Sequence, residues 1–151
     1  MSLSLAAVRA ALKTRLSTPI NSSTQPLNIY DYPPDSPVLP ALLILPRTVD
    51  GSYVDWQQSF GSLSAGALCR AGYTIELRVG GGQIEAAKQM DIYLSSGNAE
   101  SVYDALLGDV TLGGVVKTLR VLAASQPAWY TVDGAREWLS VSIEIEVYAS
   151  R

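Results

Sequence analysis

Residues 139–148 alternate between apolar and polar side chains without interruption. The two sets are Leu139, Val141, Ile143, Ile145 and Val147 against Ser140, Ser142, Glu144, Glu146 and Tyr148. A period of two is the geometry of a β-strand with one buried and one solvated face, and no helical stripe fits these positions. The apolar set is mostly β-branched, which suits a half-buried pleated surface. The pattern therefore predicts a long strand against which the rest of the chain packs.

The composition predicts one globular domain that spans residues 1–151. The chain is 48% hydrophobic and 17% charged, which is typical of a folded domain with a single core. Its formal net charge of −3 does not favour nucleic-acid binding. No apolar run reaches the roughly 20 residues that a membrane-spanning helix needs, so no membrane partner is expected.

The lack of histidine limits the chemistry that one chain can perform. The sequence contains no histidine, so Ser-His-Asp and Cys-His catalysis within a single chain are excluded. Cys69 is the single cysteine, which rules out an internal disulfide. Without a histidine to activate its thiol, we interpret Cys69 as a small buried hydrophobic residue. We therefore expect no catalytic residue, no metal site and no cofactor.

The N-terminal segment is basic, and we predict that it forms a helix over 4–16 that ends before Pro19. Basic segments of this kind are also typical of transit peptides and of helices that lie on membrane surfaces. A narrow apolar stripe favours docking on a sheet instead, with Arg9 and Lys13 on the outer face. The stripe comprises Leu5, Val8, Leu12 and Leu16.

The remaining patterns predict an α+β fold with a mostly antiparallel four- or five-stranded sheet and helices packed on one face. The expected strands are 27–30 within a proline-rich loop at 20–40, then 41–45 buried on both faces, 73–79, 115–124 and 128–132. The expected helices are 83–95, burying Ile84, Ala87, Asp91 and Leu94, and 100–107, capped by Asn98 and burying Val102, Ala105 and Leu106.

Residues 47–71 are expected to form a hairpin and loop arm that projects from the domain. Asp50-Gly51 between apolar residues is a strong hairpin signal, and a segment rich in Gly and Ser follows it. The arm carries Tyr53, Trp56 and Phe60, which have little core of their own. Exposed aromatic groups of this kind usually contact a partner, so we expect all three to bind one.

The C-terminal hairpin carries a conflict of register. A two-residue turn at Asp133-Gly134 places Val147 opposite Arg120, which would then face the core. One extra residue in the first strand, at a β-bulge near Pro127, resolves the conflict. The resulting pairs are Ile143 with Ala123, Ile145 with Val121, and Val147 with Leu119. Trp129 and Trp138 are opposite each other in the simple register, where they either staple the hairpin or dock on a neighbouring subunit.

Two other motifs favour structural interpretations. Gly80-Gly81-Gly82 lies between a strand and a helix, where a glycine-rich turn can cradle phosphate, but no Gly-Lys-Ser/Thr follows it. We interpret it as a flexible turn. Glu144 and Glu146 resemble an acid–base pair, yet this spacing is ordinary on the wet face of a strand, where cross-strand arginines such as Arg78 would partner them.

The segment 101–116 contains the motif Asp109-x-Thr111-Leu112-Gly113-Gly114-x-Val116, and a strand, a hairpin and an alternating terminal strand follow it. This pattern resembles tail terminator (tail completion) proteins of long-tailed bacteriophages. The resemblance also covers the first helix and the strand at 73–79 as an order of elements. The proline-rich segment and the arm have no clear counterpart.

The resemblance implies a non-catalytic virion protein that assembles in the host cytoplasm. Such proteins form a homo-oligomeric ring, usually a hexamer, at the head-proximal end of the tail tube. The implied partners are the tail tube protein and a neck or head-closure protein, while DNA passes through without specific binding. Two other classes stay open, namely a head-closure or neck connector protein and an unrelated small binding or enzymatic domain.

A DNA-conducting ring would favour an acidic or neutral lining, because lysines and arginines bind phosphate through counterion release. We therefore expect Glu76, Glu144 and Glu146 to face the channel. A channel dominated by Lys13, Lys88, Lys117 or arginines would contradict this expectation.

Overall fold

The computed structural model describes residues 3–20, 27–58, 68–97, 100–132 and 135–150. In these ranges the chain forms three helices and seven strands. They are α1 (Leu5–Ile20), β1 (Asn28–Tyr30), β2 (Ala41–Arg47), β3 (Val54–Gln58), β4 (Leu68–Val79), α2 (Gln83–Leu94), α3 (Val102–Leu107), β5 (Thr118–Ala124), β6 (Ala128–Val132) and β7 (Ala135–Ser150).

One mixed sheet contains all seven strands, with the spatial order β1-β2-β4-β7-β5. Strand β3 also pairs with β4, beyond the end of β2, and β6 also pairs with β7, beyond the end of β5. The seven strands therefore fill five rows. Only β1 and β2 run parallel, so the fold is α+β with a mostly antiparallel sheet, as the sequence predicts. The predicted number of four or five strands is wrong, because β3 and β6 extend the rows of β2 and β5 and bring the number of strands to seven.

The core lies between the three helices and one face of the sheet, here called the inner face. All five apolar residues of the alternating stretch in β7 are buried there, and so are the inward residues of β4 from Tyr73 to Val79. Helix α1 buries Val8, Leu12 and Leu16 completely, which confirms its predicted stripe. The opposite face of the sheet, here called the outer face, carries the polar residues of β4 and β7.

A tight hairpin separates β2 from β3. Val49 and Ser52 exchange backbone hydrogen bonds of 2.8 and 3.0 Å, and Asp50 and Gly51 both have positive φ, at 50° and 84°. Two positive φ values are the signature of the type I′ turn that Asp-Gly favours, so this prediction is confirmed.

The predicted 47–71 arm begins and ends inside the sheet. Strand β3 and the first residues of β4 pair with each other, and Cys69 is buried. The part of the arm between them, 59–67 with Phe60, lies outside the described residues.

The C-terminal hairpin has the predicted register at its far end and a different one near its turn. Leu119 pairs with Val147 and Val121 with Ile145, so Arg120 faces outward and is exposed. The prediction that Ala123 meets Ile143 is wrong, because Leu122 is an extra residue and Ala124 takes that place. Between β5 and β6, the segment 125–127 contains a second extra residue relative to β7. Opposite β6, β7 in turn has one extra residue, between Arg136 and Trp138, which shifts the register back by one.

Four local predictions are wrong. Helix α1 continues through Pro19 to Ile20, since proline has a helical φ and removes only one hydrogen bond. Helix α2 buries Ala86, Met90 and Tyr93, while Ile84, Ala87 and Asp91 are exposed. The cap of α3 is Ser101, whose hydroxyl accepts the amide of Asp104 at 3.1 Å; Asn98 lies outside the described residues. Strand β5 begins at Thr118 rather than at 115, because residues 109–117 form turns.

Arg9 is buried rather than on the outer face of α1. Its Nη1 donates to the carbonyl oxygens of Asp31 and Ile44 at 2.6 and 2.7 Å. Lys13 is exposed, as expected, and its Nζ lies 3.9 Å from the Asp31 carboxylate.

Candidate functional site

An apolar groove runs beside β5, the last strand in the sheet order. The groove encloses about 160 Å³, and Leu94, Tyr103, Val121, Leu122, Ala123, Ala124 and Ile143 line it. The extra residue in β5 sets its shape, because Leu122 has no partner position on β7. Leu122 is 39% exposed and Tyr103, on α3, is 44% exposed. An open strand edge beside exposed apolar side chains is typical of a contact surface.

Trp56 lies on β3, at the edge of the sheet opposite to β5. Trp56 is 62% exposed, as the sequence predicts for a partner-binding residue. Tyr53 is different, because its ring packs edge-to-face on Tyr73 with the centroids 5.7 Å apart. Tyr53, which immediately precedes β3, is therefore partly buried against the core and not an exposed group.

The outer face pairs its acids with arginines. Glu76 accepts from Arg78 at 2.8 and 3.3 Å and from the Ser140 hydroxyl at 3.2 Å. Both carboxylate oxygens of Glu76 are therefore engaged.

A second cluster on the outer face centres on Arg47. Its Nη1 and Nη2 lie 3.7 Å from Glu144 and 3.5 Å from Glu146. Glu146 is buried and accepts the Tyr148 hydroxyl at 2.7 Å. Burial, and then this bond to a carboxylate, raises the pKa of Tyr148 above its ordinary value. The three acids predicted to face a channel thus share one face with the arginines that neutralise them.

An open cleft of about 400 Å³ lies on the outer face near the end of the β6–β7 hairpin. Tyr130 stacks on Trp138 with the ring centroids 4.3 Å apart, and the guanidinium of Arg78 lies 4.8 Å from the Trp138 ring. The predicted Trp129–Trp138 pair is wrong, because the bulge places Trp129 opposite Leu139, where it packs against the core. Tyr130 is the residue that the simple register missed.

The motif that carries the family resemblance forms a compact loop. The carboxylate of Asp109 accepts the Thr111 amide, the Thr111 hydroxyl and the Gly113 amide at 3.1, 2.7 and 2.8 Å. These bonds lower the pKa of Asp109, and the bond from the Thr111 hydroxyl has the largest effect. Leu112 and Val116 are buried beneath the loop. In this structure the motif therefore connects α3 to β5.

The remaining candidates have structural surroundings. Cys69 is 1% exposed, as expected of a small core residue. Gly81 has φ 104° in the turn between β4 and α2. Among the described residues, no group of three or more acidic or sulfur side chains is placed to hold a metal ion. In the same part of the chain, no helix has the length and apolar composition needed to cross a bilayer.

No protein-family model matches the chain, and no curated protein does. Among solved structures, one chain without a functional description aligns over 97% of this chain and 96% of its own length. Its sequence identity is 18% and its TM-score is 0.45. This likeness is too distant to support an argument about function.

Proposed function

We propose that the protein is a structural subunit that assembles into a ring and acts as the tail terminator of a long-tailed bacteriophage. The observation that carries the proposal is the edge of β5, which no further strand of the described residues covers, beside a groove with exposed Leu122 and Tyr103. Unpaired strand edges and exposed apolar groups favour association, because pairing satisfies the backbone and removes apolar surface from water.

The role in the tail rests on the resemblance of 101–116 and on the order of elements. In this role a ring, expected to be a hexamer, sits at the head-proximal end of the tail tube and ends its growth. One side of the ring contacts the tail tube protein and the other contacts a neck or head-closure protein. The exposed Trp56, with the adjoining segment 59–67, is proposed as a contact for these partners or for a second copy.

The test begins with the mass of the purified protein in solution and with electron microscopy of negatively stained particles. We expect rings. Leu122→Asp should yield folded monomers, because it places a charge in the groove. Ile84→Asp is the matched control, because Ile84 is 68% exposed near the start of α2, ten residues and about 15 Å along the helix from Leu94. A wild-type protein that remains monomeric at high concentration contradicts the proposal.

Copurification then separates the two phage roles. A terminator should capture tail tube protein, whereas a head-closure or neck connector should capture portal-side proteins instead. Rings that retain only portal-side proteins would replace the terminator role with the connector role.

A further inference from the structure

We propose, building on the ring function above, that the ring closes head to tail, with β5 of one copy pairing with β3 of the next. The interaction surface on one side is the edge formed by Lys117 and β5. The surface on the other side is the edge formed by β3 and its flanking Asp50 turn. The partner is a second copy of this chain.

Strand directions favour this pairing. β5 runs antiparallel to β7, β7 antiparallel to β4, and β4 antiparallel to β3. Strands β5 and β3 therefore run in opposite directions and lie at opposite edges of the sheet. Copies placed side by side in the same orientation, as a ring requires, meet in an antiparallel ladder.

The two edges also lie at the same height on the sheet. Asp55 pairs with Arg70, and Arg70 pairs with Tyr148. On the other side of β7, Tyr148 pairs with Thr118 and accepts the Lys117 amide at 2.8 Å. Asp55 and Thr118 thus end the same row of the sheet, and Lys117 is the residue next to Thr118, so the junction needs no shift between copies.

The charges of the two edges are complementary. Lys117 and Arg120 are both exposed on the β5 side, and the described part of β5 carries no acid. The β3 side carries Asp55 and Asp50; the Asp50 carboxylate lies 3.7 Å from Arg70 Nη1 of its own chain, and its side chain is 89% exposed. Trp56, next to Asp55, provides an aromatic face for the lysine ammonium of the neighbouring copy.

The same charges disfavour a two-fold contact between two β5 strands. Such a pair is also antiparallel, but it brings Lys117 and Arg120 of both copies onto one seam. Like charges across a contact oppose association, so the head-to-tail arrangement is favoured.

Two variants of the full chain test the proposal, one for each edge. Lys117→Glu with Arg120→Glu reverses the charge of the β5 edge, and Trp56→Lys places a cation on the β3 edge. Lys88→Glu is the control for a charge reversal, because Lys88 is exposed on α2. Circular dichroism verifies that each variant is folded, and native mass spectrometry gives the masses.

We expect each edge variant alone to be a monomer, with association weakened about tenfold or more, and Lys88→Glu to form rings. An equal mixture of the two edge variants should form dimers and stop there, because each dimer has one intact junction. If Trp56→Lys alone forms dimers while the β5 variant alone is a monomer, the contact is the two-fold one between β5 strands, and the proposal is overturned. Wild-type-sized rings from both variants would overturn it and leave the ring function intact. A monomeric wild type would overturn both.

Discussion

At the scale of single residues, Arg9 joins three separate parts of the fold. Its guanidinium donates to backbone oxygens after β1 and within β2, and it lies 4.7 Å and 5.6 Å from the ring centroids of Tyr32 and Tyr73. Burial raises the pKa of the Tyr73 phenol far above its ordinary value, so that ring stays neutral. Arg9 therefore fixes α1 on the sheet through charged hydrogen bonds and ring contacts.

We expect Arg9→Met to lower the free energy of unfolding by about 2–4 kcal/mol, because it leaves the buried Ile44 carbonyl without its donor. Urea denaturation measures the change. Lys13→Met on the same helix should change stability by less than about 0.5 kcal/mol, since its ion pair is long and exposed. Equal losses from the two variants would contradict the role of Arg9.

Gly72 permits a close approach where β2 ends and β3 begins. It pairs with Arg47, and its amide donates to Tyr53 at 3.1 Å. A Cβ atom there would lie 2.6 Å from the Arg47 carbonyl oxygen and 2.9 Å from Val49 Cγ2.

We expect Gly72→Ala to destabilise the protein by about 1–3 kcal/mol, because the backbone must shift to accept the methyl group. Thermal and urea unfolding measure the effect. Gly82→Ala should stay within about 0.5 kcal/mol, since its φ is −63° and a Cβ there meets nothing within 4 Å. A neutral Gly72→Ala would show that the junction is looser than the contacts indicate.

At the scale of elements, the connection from α3 to β5 depends on one carboxylate. Asp109 holds the loop by three hydrogen bonds, and Leu112 adopts a positive φ of 51° above the core. These bonds lower the pKa of Asp109 in the folded chain. Because the folded pKa is below the unfolded one, the resulting stabilisation is present above the ordinary carboxyl pKa and is lost as the pH falls through the folded value.

Carboxyl NMR titration should give Asp109 a pKa below its ordinary value of 3.8. Thr111→Val should move that pKa upward, because the hydroxyl donor at 2.7 Å is removed. Thr131→Val, at an exposed position on β6, should leave it unchanged. An Asp109 pKa that does not respond to Thr111→Val would contradict this account of the loop.

At the scale of the whole molecule, helices cover the inner face, so the outer face is the one we expect to line the channel of a ring. Each of Glu76, Glu144 and Glu146 has an arginine nitrogen within 3.7 Å. The lining would therefore be a paired, nearly balanced surface and not a strongly acidic one. A balanced lining also suits DNA passage, because few cations remain free to displace counterions from phosphate.

We expect assembled rings to retain little duplex DNA at physiological salt. Glu144→Lys removes a partly exposed acid beside Arg47, so it should produce DNA binding that weakens as salt rises. Glu85→Lys, an equal charge change at an exposed position of α2, is the control and should have no such effect. Gel-shift titration over a range of salt checks both variants. Strong retention by wild-type rings, or a ring structure whose channel is lined mainly by lysines, would contradict the expectation.

The sequence by itself determined the elements whose signals are local. The period-two pattern gives the buried face of β7, the spacing of Val8, Leu12 and Leu16 gives the buried face of α1, and Asp50-Gly51 gives its turn. Each signal depends on neighbours along the chain, because side-chain direction and turn conformation are set within a few residues. The exposure of Trp56 also followed from its sequence surroundings.

Only the tertiary structure decided the features that depend on distant contacts. Arg9 was expected on the outer face because it is charged, although it is three residues before Leu12 and so lies on the same side of the helix. Carbonyl oxygens 22 and 35 residues away accept its hydrogen bonds, and they make its burial possible. The bulge at Leu122 depends on which residues of β7 it meets, and it creates the groove beside β5. The same register places Tyr130 opposite Trp138, where their rings stack, and places the partly buried Trp129 against the core. Sequence periodicity specifies which residues of a strand share a face, but the pairing of one strand with another is fixed by packing across the whole sheet.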